Sequence, residues 1–260
     1  MSFLDDLFAL NNKVAVVIGG GGVLGGAMAE GLARAGAKVA VLSRTREKAD
    51  REANIIKNVL EGEAIAIQVD ASSKTDLIKA KDEILNNWKQ VDILVNAPGI
   101  NSVTPFFEIT DEEWEQILHV NLKSIFFACQ VFGETMIVQG KGGRIINISS
   151  ASSGPPLSKV FTYGISKAGL NNLTQFLARE WAPYNIRVNA IAPGFFPSAQ
   201  NRKILTKERT ETIFRHTPMA RFGEAHELVG ATIWLASEKA SSFVTGAIIR
   251  VDGGFSAMTI

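Results

Sequence analysis

Val14-Ala15-Val16-Val17-Ile18-Gly19-Gly20-Gly21-Gly22 is five apolar residues in an unbroken run followed by four glycines, and beyond it Leu24, Met28 and Leu32 recur at a spacing of four. A short continuous apolar run is the mark of a strand covered on both faces, and the spacing that follows sets one face of a helix against it. The glycines between them make the turn. Gly20, Gly22 and Gly25 also fit GxGxxG, a pattern that gains meaning from its strand-turn-helix setting. There, bare Cα atoms let a pyrophosphate approach the backbone at the positive end of the helix. The stretch predicts the first βα unit of a dinucleotide-binding fold; the alternative is a glycine-rich turn without a ligand.

Further strands are predicted over 38–42, 64–69, 91–95, 144–148, 186–191 and 247–251. Helices are predicted over 74–88, 111–136, 161–181 and 224–237, with Thr110 and Glu113 spaced as a capping box. Strands alternating with helices imply an α/β fold, a doubly wound parallel sheet with helices on both faces and ligands at the carboxyl ends of the strands. The second strand ends in Ser43-Arg44, with Arg46 close behind. An acidic residue at that point binds ribose hydroxyls and an arginine accommodates a 2′-phosphate, so the pattern favours NADP over NAD. A serine with a flexible arginine also tolerates NAD, and both arginines could instead begin a solvated helix.

Composition narrows the function classes. The chain has 260 residues with 27 basic against 26 acidic side chains and no linker-like segment, which suits one α/β domain and argues against nucleic-acid or membrane-surface binding through bulk charge. Cys129 stands alone and the three histidines are scattered, so neither an internal disulfide nor a metal site is expected. No signal peptide is recognised near the N-terminus and no apolar run approaches the ~20 residues of a membrane span, so the expectation is a cytoplasmic, metal-free protein.

Tyr163-Gly164-Ile165-Ser166-Lys167 places a phenol and an ammonium four residues apart, hence on one helix face. A fixed cation favours phenolate and makes the phenol a better proton donor and acceptor near neutrality, and Ser150 would add a hydroxyl to hold a carbonyl oxygen. YxxxK also arises by chance in helices; its company decides.

That company resembles, over almost the whole chain, the short-chain dehydrogenase/reductase family. Ile18-Gly19, Val23 and Gly25 stand where the family has TGxxxGxG, Asp70 where an acidic residue meets adenine, and Asn96-Ala97-Pro98-Gly99 where it has NNAG. Asn121, Ser150, Tyr163 and Lys167 stand at its catalytic tetrad; Pro193-Gly194 matches its PG motif and Asp252-Gly253-Gly254 its C-terminal signature. Ile18 replaces a threonine, Val23 a glycine, and Ala97 and Pro98 alter NNAG, which implies a changed loop shape around the cofactor.

The resemblance implies a Rossmann-type domain over residues 1–260 with a substrate lid at about 195–220. It implies that Tyr163 is general acid or base, that Lys167 lowers its pKa and holds nicotinamide ribose, that Ser150 positions the substrate oxygen, and that Asn121 holds a relay water. A buried asparagine bonded to neighbouring main chain is the other reading of Asn121. NADP, or NAD, would be held by Gly19, Gly21, Gly22, Leu24, Gly25, Ser43, Arg44, Asp70, Ala71, Asn96, Ala97, Gly99 and Val120, with Tyr163, Lys167, Pro193, Gly194, Phe196 and Ser198 at the nicotinamide end.

After the PG motif, Arg202, Lys203, Lys207, Arg209 and Arg215 make a locally basic segment that suits an anionic substrate, although some of these must simply face solvent. Gln200-Asn201-Arg202 and the opening Leu7 to Lys13 resemble the family's sugar-acid branch, in particular D-mannonate oxidoreductases (fructuronate reductases). The amides would bind hydroxyls and Arg202 a carboxylate, with Ser150 and Tyr163 at the reacting carbonyl. A 3-oxoacyl thioester reductase is the alternative enzyme, and a catalytically silent cofactor-binding regulator the alternative of another class. Phe126, Phe127, Phe132 and Phe176 exceed what one core-facing stripe needs, and family members bury such faces between subunits, so a homotetramer is expected.

Overall fold

The computed structural model describes residues 2–157, 159–197 and 206–258. The expected strands are all present: β1 (Val14–Ile18), β2 (Lys38–Ser43), β3 (Ala64–Gln68), β4 (Ile93–Asn96), β5 (Gly143–Ile148), β6 (Ile186–Pro193) and β7 (Ile248–Val251). They form one parallel sheet in the order β3-β2-β1-β4-β5-β6-β7.

Alternation along β1 assigns its side chains to two cores. Val14, Val16 and Ile18 pack with Leu77 and Ile84 of α4 (Lys74–Trp88), Phe132 and Met136 of α6 (Ser124–Gln139), and Leu170 of α7 (Phe161–Trp181). Ala15 and Val17 face the other way, toward Met28 and Leu32 of α2 (Val23–Arg34), Ala53 and Ile56 of α3 (Arg46–Asn58), and Leu235 of α9 (Val229–Ala236). Both faces of the sheet are therefore covered, which is why its strands read as continuous apolar runs. The chain moves from β1 outward to β3, then returns to β4 on the other side of β1. Loops diverge at that reversal and leave a crevice at the carboxyl ends of β1 and β4.

Several local expectations are corrected. The helix read over 111–136 is α5 (Asp111–Leu118), a π-turn at His119–Lys123, and α6. The wider turn carries Asn121, whose side chain is drawn inward to the main chain of Ile100. Thr110 Oγ1 does accept from the Glu113 amide at 3.2 Å, but no reciprocal capping bond forms, because the Glu113 carboxylate accepts from Ser102 Oγ and Thr104 Oγ1 at 2.7 Å each. The helix read over 224–237 starts as a 3-10 turn, Ala225–Leu228, before α9. Three helices lie outside those read from the sequence. α1 (Phe3–Phe8) buries no residue, α3 buries two alanines, Ile56 and Glu52, and α8 (Lys207–Arg215) buries Ile213. None of the described helices is long and apolar enough to cross a membrane, and no group of three or more potential metal ligands occurs among the described residues.

Candidate active site

Parallel strands all end on the same edge, so the segments singled out in the sequence meet there. Gly19, Gly21, Gly22, Leu24 and Gly25 follow β1, Ser43 and Arg44 close β2, and Asp70 and Ala71 follow β3. Asn96, Ala97 and Gly99 lie at the end of β4, Val120 and Asn121 in the π-turn, Ser150 after β5, and Pro193, Gly194 and Phe196 at the end of β6. Tyr163 and Lys167 come from the first turns of α7. Ser198, Gln200, Asn201 and Arg202 lie outside the described residues.

The glycine loop suits a pyrophosphate. Gly19 turns the chain with φ +79°, and a Cβ on Gly25 would lie 2.2 Å from the Gly19 carbonyl oxygen, so only a bare Cα allows α2 to start this close to β1. The N-cap of α2 is Gly22, which has no side chain to cap the first amides, leaving those N–H groups to an anion. Val23, which stands where the family has a glycine, is exposed at the first helical position and does not fill this cradle.

On the adenosine side, a cavity of about 440 Å³ is lined by Arg44, Gln68, Asp70 and residues of α4. Arg46 does not contribute there as a free cation, because its Nε donates to Asp50 at 2.9 Å across one turn of α3. Arg44 is the exposed arginine that reaches this cavity. Asp70 Oδ1 accepts from the Ser72 amide at 2.9 Å, which fixes the turn after β3. The Asn96 amide is turned into the sheet, donating to Asn147 Oδ1 at 2.9 Å, and Asn147 continues to Thr174 Oγ1 at 2.9 Å. Asn96 thus meets the crevice through its main chain.

At the centre, the Ser150 side chain favours ionisation of the Tyr163 phenol, and Lys167 Nζ lies 5.8 Å from the phenol ring centroid. Lys167 is fully buried and donates to the Ile148 carbonyl at 2.8 Å. An ammonium has three N–H donors, so the remaining two suit a diol such as a ribose. Burial brings its pKa down to about 8. Asn121 Oδ1 accepts from the Ile100 amide at 2.8 Å, while its Nδ2 donates to the Ile100 carbonyl at 2.9 Å and to Ser166 Oγ at 3.1 Å. The main-chain reading of this side chain is therefore the observed one. Gly99 closes the cluster, with a Cβ there falling 3.6 Å from Lys167 Nζ and 3.7 Å from Asn121 Oδ1.

One expectation is reversed. The Tyr163 phenol is pushed above its ordinary value by burial, with the Ser150 hydrogen bond pulling the other way. The cation was expected to win, but Lys167 donates to the Ile148 carbonyl, and desolvation of the buried phenol outweighs what favours its ionisation.

Comparison with known proteins agrees with this geometry. A family model described as Enoyl-(Acyl carrier protein) reductase matches residues 22–256. The oxidoreductase UxuB of Bacillus subtilis (strain 168), whose activity is uncharacterised, is 39% identical, covering 95% of this chain and 96% of that protein. The chain belongs to the short-chain dehydrogenase/reductase family. Among solved members of the family, a gluconate 5-dehydrogenase from Burkholderia cenocepacia J2315, in complex with NADP and tartrate, superposes with a TM-score of 0.93 at 33% identity, covering 98% of this chain and all of that one. A provisionally named D-mannonate oxidoreductase from Haemophilus influenza with bound NAD gives 0.91 at 34% identity, covering 98% and 99% of the two chains. This short-chain dehydrogenase/reductase therefore has the oxidoreductase fold that its motifs implied.

Two side chains at the site carry no sequence signal. Ser152 donates to Ser150 Oγ from both its amide and its hydroxyl, and Asn171 Nδ2 donates to Ser153 Oγ at 2.8 Å. A run of serines after a strand does not reveal which hydroxyl turns toward which, and Asn171 sits two helical turns beyond Tyr163 in an otherwise ordinary stretch.

Proposed function

We propose that this NAD(P)-dependent oxidoreductase interconverts a keto group and a secondary alcohol on a sugar acid of the D-fructuronate/D-mannonate type, with NADP preferred. The observation that carries the reading is the convergence of Tyr163, Ser150 and buried Lys167 beside an uncapped, glycine-lined helix start. A bound nicotinamide supplies or accepts the hydride. Tyr163 gives the proton to the carbonyl oxygen in reduction and takes it in oxidation, and Ser150 donates a hydrogen bond to the same oxygen. Lys167 grips the ribose diol with its unused N–H donors, and Asn121 frames the relay by which protons pass from Lys167 to water.

Specificity is assigned to the segment at about 195–220, the substrate cover of a single domain spanning 1–260. Phe195 stacks edge-on against Phe255 and its carbonyl accepts from Gly223, while Phe214 packs on Phe222, so both ends of the cover are tied to the C-terminal part of the chain. Arg202 is proposed to grip the substrate carboxylate through two parallel hydrogen bonds, with Gln200 and Asn201 on its hydroxyls. Ser198 and Phe196 are proposed to meet the nicotinamide. Sugar-acid names among the relatives, such as the 2-dehydro-3-deoxy-D-gluconate 5-dehydrogenase of Bacillus subtilis and the 5-keto-D-gluconate 5-reductase of Escherichia coli, support this class.

The protein is further proposed to act as a cytoplasmic homotetramer. Exposed Phe161, Ile165 and Phe176 form a stripe along α7, and Phe126 of α6 and Phe176 line an apolar groove of about 590 Å³ with Leu118, Leu122 and Leu173. Phe132 and Phe127 do not join it: the first is fully buried and the second packs against the core.

The test is nicotinamide absorbance during a screen of D-fructuronate, 5-keto-D-gluconate and acetoacetyl thioesters, with Tyr163→Phe as control. Turnover of a keto sugar acid that Tyr163→Phe abolishes is the expected result. Turnover confined to the thioesters would overturn the substrate class, and a fully active Tyr163→Phe would overturn the mechanism.

A further inference from the structure

A hydroxyl oxygen has two acceptor lone pairs and one proton. Ser150 Oγ accepts from the Ser152 amide at 3.2 Å and from the Ser152 hydroxyl at 2.9 Å, and the Ser150 side chain favours ionisation of the Tyr163 phenol. The two bonds from Ser152 fill both lone pairs. What remains is the Ser150 proton, left free for the phenol or for an oxygen bound beside it. Ser152 is buried, and its hydroxyl has no other hydrogen bond among the described residues.

The turn that holds these groups is tied to the helix that carries Tyr163. Ser153 Oγ donates to the Ser150 carbonyl at 2.6 Å, and Asn171 Nδ2 on α7 donates to Ser153 Oγ at 2.8 Å. Asn171 Oδ1 is buried without a partner among the described residues. A buried orphan acceptor is disfavoured, so the arrangement holds the amide's donor on Ser153 at the expense of its oxygen. Tyr163 and Asn171 share one rigid helix, so this chain of bonds fixes Ser150 relative to the phenol as well as to its own strand.

We propose that Ser152 is a positioning residue which makes Ser150 a dedicated hydrogen-bond donor, held in register with Tyr163 by the Asn171–Ser153 link. Without the Ser152 hydroxyl, one lone pair of Ser150 is free, and its proton can turn away while the oxygen accepts from the phenol. That arrangement offers the reacting oxygen one donor in place of two and withdraws a bond that favours the phenolate. The inference rests on the reading that Ser150 and Tyr163 meet the reacting oxygen.

The chain contains two tyrosines, so in a Tyr184→Phe background the near-ultraviolet absorbance of phenolate reports Tyr163 alone. Tyr184 lies at the far end of α7, exposed and outside the site. The charged group set against the phenol is Lys167 on its own helix, and the turn packed across from it brings the hydroxyls of Ser150 and Ser152. In that background Ser152→Ala is expected to raise the ionisation midpoint of Tyr163 by about half to one pH unit, the size of one weakened neutral hydrogen bond. Ser152→Thr, which keeps a hydroxyl, should restore it. With NADPH and D-fructuronate or 5-keto-D-gluconate, whichever is turned over, Ser152→Ala should lower kcat by about fivefold to tenfold with KM nearly unchanged.

A midpoint that does not move in Ser152→Ala overturns the proposal, and so does a lowered Tm with midpoint and kcat unchanged, because the serine would then be merely structural. A threonine variant that folds and fails to restore the midpoint also overturns it. Tyr163→Phe separates the two levels. If that variant kept full activity, the reading of the site would fall. If it were inactive while Ser152→Ala behaved as wild type, only this inference would fall.

Discussion

Replacing Lys167 by methionine tests the electrostatics of the site without any substrate. Lys167 is fully buried, and burial alone lowers its pKa from 10.5 to about 8. The folded value lies below the unfolded one, so below about pH 8 both states hold the proton and the fold carries the whole cost of a buried ammonium. As pH rises from about 8 to 10.5, the folded state loses the proton while the unfolded state keeps it, and that cost fades. The wild type should therefore gain stability from this group with rising pH. The full difference corresponds to about 3 kcal/mol at roughly 1.4 kcal/mol per pH unit. Methionine removes the titration. It also leaves the Ile148 carbonyl without its 2.8 Å donor. That loss costs about 1–3 kcal/mol at every pH and cancels when two pH values are compared. The assay is urea denaturation of both proteins at pH 7 and pH 10. The stability of the variant relative to wild type should fall by about 2–3 kcal/mol between the two pH values. A relative stability that stays flat, or that rises, would show that Lys167 keeps an ordinary pKa and that the buried-ammonium account is wrong.

Other consequences follow from the proposed site. Arg44→Asp places a carboxylate at the cavity that would receive a 2′-phosphate, so kcat/KM should move from NADPH toward NADH; a parent enzyme already strongly selective for NADH would refute the role of Arg44. Phe176→Glu puts a charge in the apolar groove of α5, α6 and α7 and should convert the proposed tetramer to smaller species in sedimentation velocity; a wild type that sediments as a monomer at micromolar concentration would remove the premise. Arg202→Ala should lower kcat/KM on a keto sugar acid by about tenfold to hundredfold, the worth of a charge-assisted contact, and leave the matching neutral ketose unaffected; equal losses on both would make Arg202 a residue of the cover's own structure.

The sequence by itself determined the sheet and most of the helices around it. Val14 to Ile18 reads as a doubly covered strand because a parallel strand buries both faces, and the two cores drawn from its alternating side chains bear that out. The helices at 74–88 and 161–181 were legible to the residue, since each has an apolar stripe and a recognisable end. The catalytic spacing of Tyr163 and Lys167 was also local: four residues on one helix have only one relative placement. Elements without a long core-facing stripe were not legible, and α1 and α3 are of that kind, one a six-residue helix burying nothing and the other burying alanines, one isoleucine and a glutamate.

The tertiary structure decided what depends on groups distant in the chain. It turned Asn121 toward Ile100 by widening one helical turn, diverted the Glu113 carboxylate from its cap to Ser102 and Thr104, and divided the phenylalanines of α6 between core and surface. It reversed the expected pKa of Tyr163, because desolvation is set by everything packed around a group while sequence spacing reports only its nearest charge. The turn after β5 that holds Ser150 is likewise tied to α7 through Asn171 and Ser153, a link that forms only when the turn and the helix are packed together.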